Sequence, residues 1–162
     1  MGSRGRRIGS SFSSHTSPRV IHVVGLGTGD LHRIPDPARV ILEDPATTVV
    51  LRTIEHPAAR QLADKREVLT CDELYESSST FDEVYQRIID RLRSVDGEVV
   101  YAVPGSPTIG EFVVRRLLDE GDRVEIVAGH SFIDAVLAEV GYDLWSGVSR
   151  SSMPTIYPTH SS

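Results

Sequence analysis

Val24-Gly25-Leu26-Gly27-Thr28-Gly29-Asp30 follows directly on the apolar run Val20–Val24, alternates three glycines with other residues and ends on a carboxylate. Glycine has no Cβ, so such a loop lets backbone N–H and C=O groups approach a small ligand closely. Two later loops share this character. Pro104-Gly105-Ser106-Pro107 follows Glu98–Val103, and Ala128-Gly129-His130-Ser131 follows Arg123–Val127. The chemistry these residues suit is holding and orienting a small molecule. Nucleophilic or metal-assisted attack is not suggested, because no Ser/His/Asp order, no His-Glu-x-x-His and no paired metal carboxylates occur.

Spacing argues against two familiar nucleotide sites. Gly-x-Gly-x-x-Gly would need a third glycine at position 30, where Asp30 stands, and Pro35 and Pro37 delay the next helix. No Gly-Lys-Ser/Thr occurs, so Walker A is absent. NAD and P-loop chemistry are therefore disfavoured. His56 and His130 each lack a second ligand at metal spacing, so no metal site is expected. His130 remains a candidate for facing substrate. Asp30 is expected to structure its own loop, with a place near substrate as the alternative.

The elements that must position these loops alternate along the chain. Strands are expected at Val20–Val24, Thr47–Leu51, Glu67–Thr70 (weakly), Glu98–Val103 and Arg123–Val127, largely continuous apolar runs of the kind covered on both faces. Asp36-Pro37 supplies an N-cap and first-turn proline ahead of Ala38–Asp44, and His56-Pro57 opens a stretch to Ala63. Phe81–Val95 carries the i, i+3, i+4, i+7 stripe, with Phe81 and Tyr85 expected in the core and a capping box at Thr80…Glu83. Further boxes stand at Thr108…Glu111 and Ser131…Asp134, and Gly121 and Gly141 sit where helix C-caps belong. The fold class that follows is α/β, a mainly parallel five-stranded sheet with helices on both faces. All three glycine loops then share one sheet edge and can converge on one ligand.

The 162 residues suffice for one domain with a real core. A net charge of −6 disfavours nucleic-acid backbones, and no apolar run reaches the roughly 20 residues of a membrane span. Cys71 is the sole cysteine, expected to be a half-buried thiol in a reduced, cytoplasmic setting. Residues 1–19 are expected to form a disordered Ser/Gly/Arg-rich arm, residues 20–145 the α/β domain, and residues 146–162 an irregular tail, with Trp145 docking on the domain.

Three segments resemble one family. Val24–Asp30 resembles the V-G-x-G-P-G-D signature of the S-adenosylmethionine-dependent tetrapyrrole methylases. Tyr101–Pro107 resembles their second loop, and Val127–Phe132 their Pro-Gly-x-Ser/Thr turn. Leu51-Arg52-Thr53 with His56-Pro57, and the run Ser131–Val136, are most similar to the methylase-type domain preceding MazG nucleotide pyrophosphohydrolases. Thr28, Ser106 and Ala128 depart from the usual proline, aspartate and proline.

The resemblance implies a fold like the first domain of those methylases. It also implies S-adenosylmethionine held by Gly25, Gly27, Thr28, Gly29, Asp30, Pro104, Gly105, Ser106, Ile109, Ser131 and Phe132. The family binds its cofactor between two domains, and the match covers only the first. The expected function is therefore a methyltransferase-type domain that lacks the second half of its site, acting on a small-molecule acceptor. The alternative is a non-catalytic accessory domain of a MazG-type pyrophosphohydrolase. A homodimer or a MazG-type partner would cover apolar surface beside the missing half.

Overall fold

The structure, a computed structural model, describes residues 19–141 apart from the side chain of Asp134. The tail at 146–162, Trp145 and all of the N-terminal arm except Arg19 lie outside the described residues.

Five strands form the sheet: β1 (Val20–Gly25), β2 (Thr47–Leu51), β3 (Leu69–Thr70), β4 (Glu98–Val103) and β5 (Arg123–Val127). They are ordered β3-β2-β4-β1-β5, and every pairing is parallel. The helices are α1 (Asp36–Glu43), α2 (Pro57–Ala63), α3 (Asp72–Ser77), α4 (Phe81–Ser94), α5 (Phe112–Asp119) and α6 (Phe132–Val140). A short 3-10 turn, Leu31–Arg33, directly follows the first glycine loop.

Alternate residues of the central strands feed two cores. Ile21, Val23, Val99, Tyr101 and Val103 pack against Val84, Ile88, Ile89 and Leu92 of α4 and Val113, Val114 and Leu117 of α5. Their neighbours Val24, Val49, Leu51, Val100 and Ala102 face Ala38 and Leu42 of α1 and Ala58, Ala59 and Leu62 of α2. This two-sided burial explains the largely continuous apolar runs of β1, β2 and β4. Each buried Leu or Ile contributes about 1.5–3 kcal/mol. No helix among the described residues is long and apolar enough to cross a membrane.

Several local expectations hold. The N-caps form: Thr80 Oγ1 accepts from Glu83 N at 3.2 Å and Ser131 Oγ from Ile133 N at 3.1 Å. The Glu83 carboxylate accepts from Ser79 N rather than Thr80 N, and the Asp134 half of the second box lies outside the described residues. Gly121 and Gly141 follow α5 and α6 at φ +85° and +62°. The Cys71 thiol is fully buried rather than half-buried.

Others are corrected. The cap position of α1 falls on Pro35, so Asp36 is already helical and pairs with Arg39 instead. Thr108…Glu111 caps nothing: Gly110, at φ +71°, interrupts any helix there, and α5 begins only at Phe112. Phe81 is 70% exposed and Phe112 63%. Phe81 stacks on Tyr85 at 6.2 Å and Tyr85 on Phe112 at 5.7 Å, so Phe81 meets surface aromatics instead of the core, whereas Tyr85 is half-buried and packs against it.

β3 is only two residues long, and α3 was not expected at all. A six-residue helix offers too few turns for a periodic stripe, although Asp72 and Glu73 suit its first turn. β5 is not covered on both faces: Arg123, Glu125 and Ile126 are exposed, as are Phe132, Val136 and Val140 of α6.

Candidate functional site

The three glycine loops meet at the carboxyl edge of β1, β4 and β5. Gly27 N donates to Gly105 O at 3.0 Å, and Gly105 N donates to Gly27 O at 2.8 Å. Both residues sit at φ +68°, a conformation that favours glycine. Gly25 and Gly129 are needed for a different reason. A Cβ on Gly25 would lie 2.6 Å from both Gly105 O and Gly129 N, and one on Gly129 would lie 2.4 Å from Gly25 O. The loops therefore pack backbone against backbone, with no room for a side chain between them.

This packing leaves a cleft of about 400 Å³ on one side of Gly27-Thr28 and a groove of about 520 Å³ on the other. Thr28, Pro104, Gly105, Ser106, Ile109 and Phe132 all border the cleft, together with Gly27. Gly29 and Ser131 border the groove, with His130 and Arg33 beside them. A Cβ on Gly105 would meet no protein atom within 4 Å. The floor of the cleft is therefore open backbone.

Gly25 and Asp30 border neither space. Gly25 is part of the loop packing. The Asp30 carboxylate accepts from Gln61 Nε2 at 3.3 Å, and its carbonyl accepts from Arg33 N at 2.9 Å. Gln61 Oε1 in turn accepts from Leu31 N at 2.9 Å, which ties the first loop to α2. A larger depression, about 620 Å³, opens beside Glu43, Lys65 and Arg66 and has no glycine loop in its wall.

Three further residues enter the cleft wall: Arg52, His56 and Glu111. Arg52 follows the last residue of β2, and its backbone N donates to Ala102 O at 2.9 Å. Its Nε donates to Tyr75 Oη at 3.2 Å, and its Nη1 pairs with the Glu111 carboxylate. The Glu111 side chain is only 4% exposed, against 33% for Arg52. Burial pushes the Glu111 carboxyl above its ordinary value, against the pull of Arg52. Burial lowers Arg52, but the Tyr75 hydrogen bond and the Glu111 charge outweigh it, so the guanidinium stays protonated.

His56 Nε2 lies 3.1 Å from Gly27 O, which already accepts from Gly105 N, so this nitrogen carries the proton and His56 braces the glycine bridge. Asp72 braces the same wall, accepting from Thr53 Oγ1 at 2.6 Å and Ile54 N at 2.9 Å.

Arg52 was not singled out as a site residue; the signal that could have found it is its place directly after a buried strand at the ligand edge. Glu111 was hidden by its look of a helix cap, and its partner lies 59 residues away.

Open parallel α/β sheets commonly place their ligand sites at the carboxyl edge of their strands, where the three glycine loops gather here. The chain belongs to the Tetrapyrrole (Corrin/Porphyrin) Methylases, whose family model matches residues 20–159. It is 35% identical over 122 residues to the uncharacterized protein YabN of Bacillus subtilis, a match covering 71% of this chain and 25% of YabN.

Among solved structures, the uroporphyrin-III-C-methyltransferase of Thermus thermophilus superposes with a TM-score of 0.54 at 22% identity, covering 78% of this chain and 54% of the other. Diphthine synthase gives 0.54 at 22%, covering 78% and 50%. A cobalt precorrin-4 methyltransferase gives 0.53 at 21%, covering 77% and 52%. These likenesses are of fold. The chain spans about half the length of these solved proteins and a quarter of YabN.

Proposed function

We propose that this domain binds S-adenosylmethionine in the cleft beside Gly27 and Gly105 and serves methyl transfer to a small-molecule acceptor. The observation that carries this is the two-hydrogen-bond bridge between Gly27 and Gly105. It holds two loops together while leaving backbone exposed as the floor of a cleft about 400 Å³ in volume, a size suited to a nucleoside-sized ligand. Membership of a methylase family supports the same choice.

Bound there, the sulfonium donor supplies an electrophilic methyl group. The chain's own residues would bind and orient it. Thr28, Pro104 and Ile109 shape the walls, Ser106 offers a hydroxyl 3.0 Å from the Thr108 hydroxyl, and Phe132 borders the cleft from the start of α6. In-line displacement depends chiefly on such positioning and needs no strong base from the protein.

Calorimetric titration with S-adenosylhomocysteine, with ATP and NAD as controls, tests this. Selective micromolar binding is expected, and Gly27→Leu should abolish it, with circular dichroism verifying that the variant is folded. No binding by the folded wild-type chain would refute the proposal.

A non-catalytic role beside a MazG-type pyrophosphohydrolase is favoured by a separate observation. The edge strand β5 and helix α6 expose Ile126, Phe132, Val136 and Val140, an apolar face of the kind that protein partners cover. Co-purification with such an enzyme, without nucleoside binding, would favour this role over methyl transfer.

A further inference from the structure

Arg52 is held from two sides and unused on a third. Its Nε is committed to Tyr75 and one N–H of Nη1 to Glu111. Nη2 has no partner among the described residues, yet the residue forms part of the cleft wall beside Gly27, Thr28 and Ser106. We propose that Arg52 reads a carboxylate of the small molecule bound in the cleft, through Nη2 and the remaining N–H of Nη1. This rests on the cleft being the ligand site proposed above.

A guanidinium presents parallel N–H groups that match the two oxygens of a carboxylate. With its plane fixed by Tyr75 and Glu111, Arg52 loses little further freedom when a ligand arrives, which is the condition for tight, oriented binding. Stability alone is a poor reason for the Arg52–Glu111 pair. Burying a carboxylate is costly, and an apolar pair of similar volume is often as stable or more so. A buried acid orienting a half-exposed arginine at a cleft is better explained by a ligand that needs the arginine there. Tyr75 is the second brace, and it reaches Arg52 from α3, a helix none of whose residues lines the cleft.

Two sources share this chemistry: the amino-acid end of the methyl donor and a carboxylate on the acceptor. The test compares S-adenosylhomocysteine with 5′-methylthioadenosine, which lacks the amino-acid end, on wild type, Arg52→Gln and Arg52→Lys. Arg52→Gln leaves Glu111 buried without a cation, so Arg52→Gln/Glu111→Gln repeats the comparison with no unpaired charge. Malonate is then titrated into methylthioadenosine-saturated protein while the Arg52 Nε–Hε resonance is followed, assigned by its loss in Arg52→Gln.

If the donor's carboxylate is read, wild type should prefer S-adenosylhomocysteine by about tenfold to a hundredfold, the range for a charge-assisted hydrogen bond. That preference should vanish in both Gln variants and survive in part in Arg52→Lys. If the acceptor's carboxylate is read, both nucleosides bind equally, and malonate shifts the Arg52 signal in wild type but has no effect on the double variant's spectrum. A merely structural arginine would weaken both nucleosides alike and leave the Nε–Hε signal indifferent to malonate, and that result overturns the proposal while leaving the nucleoside cleft standing. Should folded wild type bind no nucleoside, the methyl-donor assignment fails, and a malonate shift at Arg52 would still uphold the carboxylate site.

Discussion

Gly25→Ala and Gly105→Ala add the same methyl group to the same loop cluster and should behave quite differently. At Gly25 the new Cβ would lie 2.6 Å from Gly105 O, 2.6 Å from Gly129 N and 2.8 Å from the Pro107 Cδ. Two of these atoms are backbone from separate loops, so no rotamer change can relieve the overlap. Overpacking of this kind costs about 1–3 kcal/mol. If the loops part, the two Gly27–Gly105 hydrogen bonds are also lost, at about 1 kcal/mol each. The expected loss for Gly25→Ala is therefore about 3–5 kcal/mol.

At Gly105 the added Cβ meets nothing within 4 Å, and the cost is the left-handed backbone alone, about 1–2 kcal/mol. Its methyl instead enters the space beside the bridge, so Gly105→Ala should weaken S-adenosylhomocysteine binding more than it weakens the fold. Urea midpoints at fixed m-value give the stabilities, and hydrogen exchange at the Gly27 and Gly105 amides reports the bridge. Equal losses for the two variants, or a Gly25→Ala protein within about 0.5 kcal/mol of wild type with both amides protected, would refute the close-packing explanation.

Three other outcomes are expected. Burial raises the Glu111 carboxyl, with Arg52 opposing. Its contribution to stability is thus present below the unfolded value near 4.5 and is lost as pH rises through the higher folded value. Relative to wild type, Glu111→Gln should gain stability over that rise, checked by urea unfolding at successive pH values; a difference independent of pH would count against it. The Cys71 thiol, pushed up to about 12 by burial, should not react with a disulfide reagent at neutral pH until the protein is unfolded in urea. Phe81→Ser should cost less than about 1 kcal/mol, as for surface positions, whereas Ile88→Ala on the buried stripe of α4 should cost about 2–5 kcal/mol in the same assay.

What could be read from the chain is what depends on local order. Val20–Val24, Thr47–Leu51 and Glu98–Val103 announce themselves as strands because both of their faces are buried, and Thr80 and Ser131 announce helix starts because the caps they form are local. Tertiary pairing overrode that local signal elsewhere. Glu111 has the spacing of a capping residue, yet Gly110 turns the chain and Arg52 takes the carboxylate. Phe81 lies on the apolar stripe of α4 but stacks toward Tyr85 at the surface. The ligand edge itself was legible, since three glycine loops after three strands of a parallel sheet must share one side. Which of their residues border open space was not: the resemblance implies Gly25 and Asp30 as cofactor contacts, yet neither borders the cleft or the groove, and Asp30 ties its own loop to Gln61 as its loop-structuring reading expects.

The division of labour within the fold bears on whether the cleft depends on what lies beyond it. Among the described residues, every fully buried residue of the two cores comes from the stretch between β1 and α5, and β5 adds only the partly buried Val124 and Val127. The cleft is built mainly on that stretch, from the carboxyl ends of β1, β2 and β4, and only Phe132 among its walls belongs to α6. Its key contacts, the Gly27–Gly105 bridge, the His56 brace and the Arg52–Glu111 pair, likewise lie between β1 and α5. The groove on the far side of Thr28 differs, taking His130, Ser131 and Ala135 from the less buried β5–α6 end. Whatever covers that exposed apolar end should therefore change the groove more than the cleft. Nucleoside binding in the cleft should accordingly be little altered by a partner domain seated on β5 and α6.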